Sequence, residues 1–278
     1  MRVICFILFF LLSSVPGEAA HKEFIVMSCR WESGMFSVFN DMLGLIKCYD
    51  QGKYEGIEID FGQIGLYYDP SHGPNWWSYY CKPICYGKKK HVRYVIGDAP
   101  HTRPSEIEKH TSRREAYRLI KKYITFRPNI VKKIDAFTND HFKNKFVIGV
   151  HYRGTDMRKE VPARVVSYEK VAEAVKHQLN KIKHDNVCIF VAADEAAFVE
   201  YMVRIFGNKV VCNTDVPRSR DELAIHKNTR DPYQNGKSAV EDCLLLARCK
   251  CLIRTSRSNL SLWATFLNLK MTVQELKP

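Results

Sequence analysis

His151, Arg153, Thr155 and Asp156 follow directly on the apolar run Phe146-Val147-Ile148-Gly149-Val150. A buried strand that runs into such groups ahead of a helix has the form of a ligand site, because open parallel sheets bind ligands beyond the carboxyl ends of their strands. An arginine there suits a diphosphate: its planar fork meets phosphate oxygens in pairs and stays charged at any working pH. The plain alternative is that Thr155 and Asp156 cap a helix beside a surface ion pair. Three more segments bring similar chemistry. Asp194 and Glu195 end the run Val187 to Ala193, His226 lies in the long polar stretch 213–236, and Thr255-Ser256-Arg257-Ser258-Asn259 joins an apolar run to a helix. Hydroxyls and backbone amides at a helix start hold anions well, so the last segment reads either as a phosphate cradle or as ordinary N-capping by Ser258 or Asn259. Asp242 interrupts a helix that is apolar over Leu244 to Ala247, and it either faces solvent or turns into the crevice toward a donor-rich ring.

The elements that must position these residues are legible from periodicity. From Phe146 onward, β-rich runs at 146–150, 187–193, 209–212, 251–254 and 271–273 alternate with amphipathic stretches at 168–182, 195–206, 238–248 and 259–267. That alternation predicts a doubly wound parallel α/β sheet. Ser167 is the expected N-cap of the first helix and Gly207 the stop of the second. The first half predicts a smaller α/β unit: strands at 24–27 and 56–61 about a helix near 37–49, then helices at 105–124, opened by Ser105 and Glu108, and after Pro128. The expected division is a leader at 1–20, a smaller N-terminal α/β domain at 21–143, and a C-terminal Rossmann-like domain at 144–278. Between Gly62 and Gly87 the chain is crowded with rings. Trp76, Trp77 and Tyr67, with Asn75 and Asp69, could stack on and hydrogen-bond a sugar, or could simply be core; Asn40 is placed with them.

A formal charge of +13 over 278 residues favours anionic partners. The basic clusters between Lys88 and Lys133 carry interleaved glutamates and no nucleic-acid-binding motif, so a solvated helix face is expected and nucleic acid is excluded. Arg2, the apolar run Val3 to Leu12 and the small residues Ala19 and Ala20 read as a secretory signal peptide, too short to span a bilayer. This places the protein in a secretory lumen or periplasm, or outside the cell, without a stable membrane span. Of the ten cysteines, Cys81 and Cys85 are the disulfide candidates, and Cys188, Cys212 and Cys251 fall in apolar strands. No paired zinc-ligand spacing is present, so no metal is expected.

The order H-Y-R-G-T-D at 151–156, A-D-E at 193–195, E-D-C-L-L-L-A-R-C at 241–249 and T-S-R-S-N at 255–259 resembles the donor-binding motifs of the α1,6-fucosyltransferase and nodulation-factor fucosyltransferase superfamily. The resemblance implies a GT-B architecture of two Rossmann-like halves, GDP-fucose as donor, inversion at the anomeric carbon and no metal or other cofactor. It further implies that Arg153 and Ser258 meet the β-phosphate, with Thr255 and His226 beside the donor, that His151 and Asp242 meet the guanine, and that Asp156 and Asp194 hold the catalytic network. Glu160 is the expected base, with Asp156 as the alternative, and a glycan or glycoconjugate hydroxyl is the acceptor. The chain departs from the α1,6 pattern at Gly154, where a second arginine is usual, and at Met157, where a lysine is. Two other readings stand: a transferase using another GDP-sugar, and a non-catalytic protein that binds a GDP-sugar or an anionic glycan. The sequon at Asn259 falls within the expected phosphate loop and should be unmodified.

Overall fold

The computed structural model describes residues 22–30, 33–97, 104–155, 165–219, 231–256 and 258–278; the leader 1–20, Asp156, Glu160, His226 and Arg257 lie outside them. The N-terminal half is built on strand β1 (Phe24–Ser28), which pairs in parallel with β2 (Gly56–Ile59) on one side and β4 (Val92–Ile96) on the other. The short β3 (Cys85–Tyr86) runs antiparallel beyond β2, giving the order β3-β2-β1-β4. β1 is central, and Phe24 to Met27 are accordingly all apolar and buried. Helix α1 (Met35–Asp50) connects β1 to β2. It buries Met35, Phe36, Val38, Phe39, Met42, Leu43 and Ile46, more than one face's worth, because it lies between the two halves.

Helix α2 (Trp77–Tyr80) is a single turn within the ring-rich segment. The helix expected over 105–124 is two helices, α3 (Pro104–His110) and α4 (Arg113–Tyr123). The break is chemical. Ser112 adopts extended backbone and its hydroxyl accepts from the Glu115 amide at 3.2 Å, so Ser112-Arg-Arg-Glu115 starts a new helix within the expected one. α5 (Pro128–His141) opens on proline as expected, and Asn144 then takes a left-handed turn (φ 58°) into the second sheet.

Five parallel strands make that sheet: β5 (Phe146–Tyr152), β6 (Val187–Ala193), β7 (Val210–Val211), β8 (Cys251–Thr255) and β9 (Thr272–Leu276), in the order β7-β6-β5-β8-β9. The connecting helices are α6 (Tyr168–Lys181), α7 (Ala196–Phe206), α8 (Pro232–Leu246) and α9 (Asn259–Leu267). Ser167 caps α6 by accepting from the Lys170 amide at 3.2 Å, and Gly207 ends α7 at φ 59°. α8 begins a turn and a half earlier than its apolar period suggests, because Asp231 caps it through the Gln234 amide at 2.8 Å and Pro232 takes its first position.

One cluster of buried side chains lies against the Val147, Phe190 and Leu252 face of this sheet and continues through α8, α9 and α1 into the N-terminal half. Phe39 makes the join, with ring centroids 5.2 Å from Trp77 and 5.3 Å from Trp263. A second cluster, around Ile148, Val150, Tyr152 and Phe198, fills the opposite face beneath α6 and α7. The halves therefore share a core. Cys81 and Cys85 are both free, one buried and one exposed, so the disulfide foreseen for them is absent; Cys212 is only partly buried.

Candidate functional site

Strand order reverses at β5: β6 and β7 lie to one side, β8 and β9 to the other. The carboxyl ends of β5 and β8 thus form the switch-point crevice, and the structure brings His151, Arg153, Thr155, Asp194, Thr255 and Ser258 to it. His151 and Arg254 are cross-strand neighbours on β5 and β8. Burial, reinforced by the charges of Arg153 and Arg254, holds the His151 imidazole down to about 3, so it is neutral at working pH. Its Nε2 stands 3.5 Å from the Ser258 hydroxyl, and its Nδ1, buried, has no partner among the described residues.

Ser258 occupies the N-cap position of α9 in extended backbone, yet its hydroxyl makes no capping hydrogen bond. Plain N-capping is thereby set aside for this residue. The helix start has no side-chain cap and has a buried hydroxyl beside it, the arrangement that receives anions. Asn259 does not cap either: its Oδ1 accepts from Asn40 Nδ2 at 2.9 Å, while Asn40 Oδ1 accepts from Trp263 Nε1 at 2.7 Å. Asn40 is therefore a buried tie between α1 and α9, not an acceptor contact.

Asp194 is buried and uses both carboxylate oxygens on the turn after β5. Oδ1 accepts from the Gly154 amide at 3.0 Å; Oδ2 accepts from the Thr155 amide at 3.2 Å and its hydroxyl at 2.7 Å. Burial raises its pKa against those bonds. These contacts make Asp194 the clamp that fixes the loop bearing Arg153. Glu195, given no role from sequence, is also buried. It accepts from the Tyr168 hydroxyl at 2.5 Å, and a Cβ at Gly154 would lie 2.3 Å from its Oε1. A side chain at this position, where the α1,6 pattern carries arginine, would require the Glu195 carboxylate and the Tyr152 ring to move.

Asp242 turns inward from α8. Burial pushes its carboxyl up to about 7 against the pull of Arg218, and Oδ1 has no described partner. Beside it the fully buried Glu241 accepts from Lys133 Nζ at 2.7 Å and Asn213 Nδ2 at 3.0 Å. Arg218 donates to the Asn213 carbonyl at 2.9 Å, with Nε left over. Arg254 is held through Nη2 by Glu275 and, at 3.5 Å, by Glu108, while Nε and Nη1 are buried without partners. Sequence reasoning passed over Arg254, although a charge inside Cys-Leu-Ile-Arg-Thr, a strand buried throughout, was the available signal.

The acceptor-side expectation is corrected for three of its four residues. Trp76 and Trp77 are fully buried, and their indole N–H groups donate to the carbonyls of Ile64 at 2.8 Å and Lys82 at 2.9 Å. Asn75 accepts from the amides of Phe61 at 3.3 Å and Trp77 at 3.1 Å and donates to Ile59 O at 2.9 Å. These rings cannot offer a face to a sugar, because other side chains already cover them. Asp69 likewise caps a local turn through Ser71. Tyr67 alone is tied to the crevice: its oxygen accepts from the Met35 amide at 3.0 Å, and Arg153 eases its ionisation against a dominant burial effect. Among the described residues no cluster of metal-binding side chains is found, and no helix is long and apolar enough to cross a membrane.

A family model described as nodulation protein Z (NodZ) matches residues 108–277. The fold is similar to that of NodZ α-1,6-fucosyltransferase co-crystallised with GDP (TM-score 0.63, 19% identity, covering 89% of this chain and 93% of that one). It is also similar to fucosyltransferase NodZ from Bradyrhizobium (TM-score 0.56, 21% identity, 88% and 92% covered) and to the apo form of POFUT1 (TM-score 0.53, 9% identity, 93% and 99% covered). No curated protein sequence matches the chain. The architecture is accordingly α/β of the GT-B type, with two Rossmann-like halves.

Proposed function

The chain belongs to the nodulation protein Z family, and from that membership we propose that it transfers fucose from GDP-fucose to a hydroxyl of a glycan or glycoconjugate. The observation that carries the reading is the start of α9 at the switch point, where Ser258 leaves the helix uncapped beside neutral His151 and near Arg153. A diphosphate seated there receives the α9 amides and the Arg153 guanidinium. Asp242, once ionised, accepts paired N–H groups from guanine.

In the reaction, the acceptor oxygen attacks the anomeric carbon on the face opposite GDP. The bond from that carbon to the β-phosphate oxygen breaks, its electron pair leaves with GDP, and the configuration inverts. Arg153 and the α9 N-terminus take the charge that grows on the leaving diphosphate, the office a divalent cation would otherwise fill. The acceptor proton passes to Glu160 or, failing that, Asp156. Turnover retained in full by Glu160→Gln would remove Glu160 from this role. Asp194 acts through Arg153, by holding its loop. The signal peptide reading places this chemistry in a secretory lumen or periplasm, or outside the cell.

The test is calorimetric titration of the full chain with GDP, with UDP as control and Arg153→Ala alongside. GDP-selective binding that the substitution weakens, followed by fucose transfer in an acceptor screen, is the expected result. A folded protein that ignores GDP would end the proposal.

A further inference from the structure

β4 is an edge strand, paired only with β1 among the described residues, and its two faces differ sharply. Val95 points to the shared core and packs against it. Val92, Tyr94 and Ile96 point the other way and are 41%, 79% and 66% exposed. Exposed edges are usually blunted by charge, whereas this one ends in protruding apolar side chains. Exposure on that scale describes side chains that stand out from the surface, not the walls of a groove.

Immediately before them come Lys88, Lys89, Lys90 and His91, all exposed. Lys89 is paired with Glu58 at 2.7 Å and Arg93 with Glu23 at 2.7 Å; Lys88 and Lys90 have no carboxylate partner among the described residues. The parallel register sets Phe24 opposite Val92, so the chain enters β1 at the end of the sheet where these lysines lie.

We propose that the Lys88–Ile96 edge docks on an anionic lipid surface, with Tyr94 and Ile96 entering the headgroup layer and Lys88 and Lys90 meeting the lipid charge. Lysines bury their stems and keep the ammonium at the interface, and tyrosine suits the same depth because one end is apolar and the other wet. Charge and shape favour this occupant. A basic rim attracts an anionic leaflet over a Debye length, and a few protruding apolar side chains then hold it.

The experiment is vesicle co-sedimentation of the full chain, with phosphatidylcholine alone and with about a third phosphatidylglycerol. The variants are Lys88→Glu with Lys90→Glu, and Tyr94→Asp with Ile96→Asp; GDP binding serves as the folding control for both. Any binding by residues 3–12 is common to all the proteins and shows on the neutral vesicles. The expected result is a preference of wild type for anionic vesicles that falls in high salt and drops roughly tenfold or more on reversing the two lysines. The Tyr94 and Ile96 pair should weaken it further. Equal binding to both vesicle types, or binding unchanged in the variants, overturns the proposal. So does a dimer of the chain that Tyr94→Asp dissociates while vesicle binding is untouched, since the edge would then pair with a second copy.

Discussion

Buried polar atoms in the ring-rich N-terminal segment and in the C-terminal crevice are treated in opposite ways. In the first, Trp76, Trp77, Asn75 and Tyr67 each hold a hydrogen bond within the fold. In the second, His151 Nδ1 and Asp242 Oδ1 have no hydrogen-bond partner among the described residues, and the same holds for atoms of Arg218 and Arg254. A buried polar group without a partner costs stability. His151 and Arg254, cross-strand neighbours near the carboxyl ends of β5 and β8, both carry such atoms, where the polar groups of a ligand can meet them. Aromatic density, by contrast, marked a core.

The sharpest way to break this contrast is Trp77→Ala. If the ring is core, the substitution costs about 3–5 kcal/mol of stability in a denaturant titration and leaves the acceptor KM of the surviving enzyme alone. A raised KM with unchanged stability would restore Trp77 to the acceptor side. On the crevice side, Arg153→Ala should lower kcat by about 10²–10³ with the fold intact, as single donors to a developing oxyanion do. Retained turnover would place the leaving group elsewhere.

Asp242→Asn should weaken GDP by about 10-fold to 100-fold in calorimetry, the loss of a charge-assisted pair. The free carboxyl titrates at about 7. Binding that needs it ionised should therefore strengthen as pH rises toward 7, by up to about tenfold per unit, and level off above; the asparagine protein should be flat over that range. By the same linkage the raised pKa makes Asp242 a cost to the empty fold that begins above its unfolded value, about 4, and is complete past 7. Asp194→Asn keeps one accepting oxygen for the loop and puts an amide donor against the N–H groups held by the other. A loss of about 1–3 kcal/mol and a lower kcat at similar GDP affinity are expected, the second because Arg153 shifts.

The smallest effect discriminates best. Removing an ordinary serine N-cap costs about 0.5–2 kcal/mol of stability. Ser258 makes no capping bond. Ser258→Ala should leave the melting temperature nearly unchanged yet weaken GDP by the worth of one hydrogen bond, about 0.5–1.5 kcal/mol. A stability loss without a binding loss would make Ser258 a cap after all.

The C-terminal half is easier to read from sequence than the N-terminal half, for physical reasons. Its strands are buried on both faces and appear as unbroken apolar runs, so β5, β6 and α9 match their expected positions closely and the polar residues at strand ends stand out. β4 was not foreseen because it carries exposed apolar side chains on one face after a lysine run, a pattern that resembles a basic loop. The division at Ser112 was hidden because charged helix formers lie on both sides of it, with Glu106 and Glu108 before and Arg113 to Glu115 after. The residues alone leave Asp242 open between solvent and crevice because one helix turn cannot show what a partner helix covers, and they give Glu195 no role of its own because its approach to Gly154 joins two turns far apart in sequence.

The tie from Asn40 to Asn259 and Trp263, with Phe39 wedged between Trp77 and Trp263, bears on how such an enzyme could be altered. An N-terminal half exchanged to change the acceptor would arrive with its own α1, and the underside of that helix is what Trp263 and the α9 start rest on. Chimeras cut near residue 143 would thus lose donor affinity through a mismatched seat, even with every donor contact kept, and the border that a designer needs runs along the surface of α1.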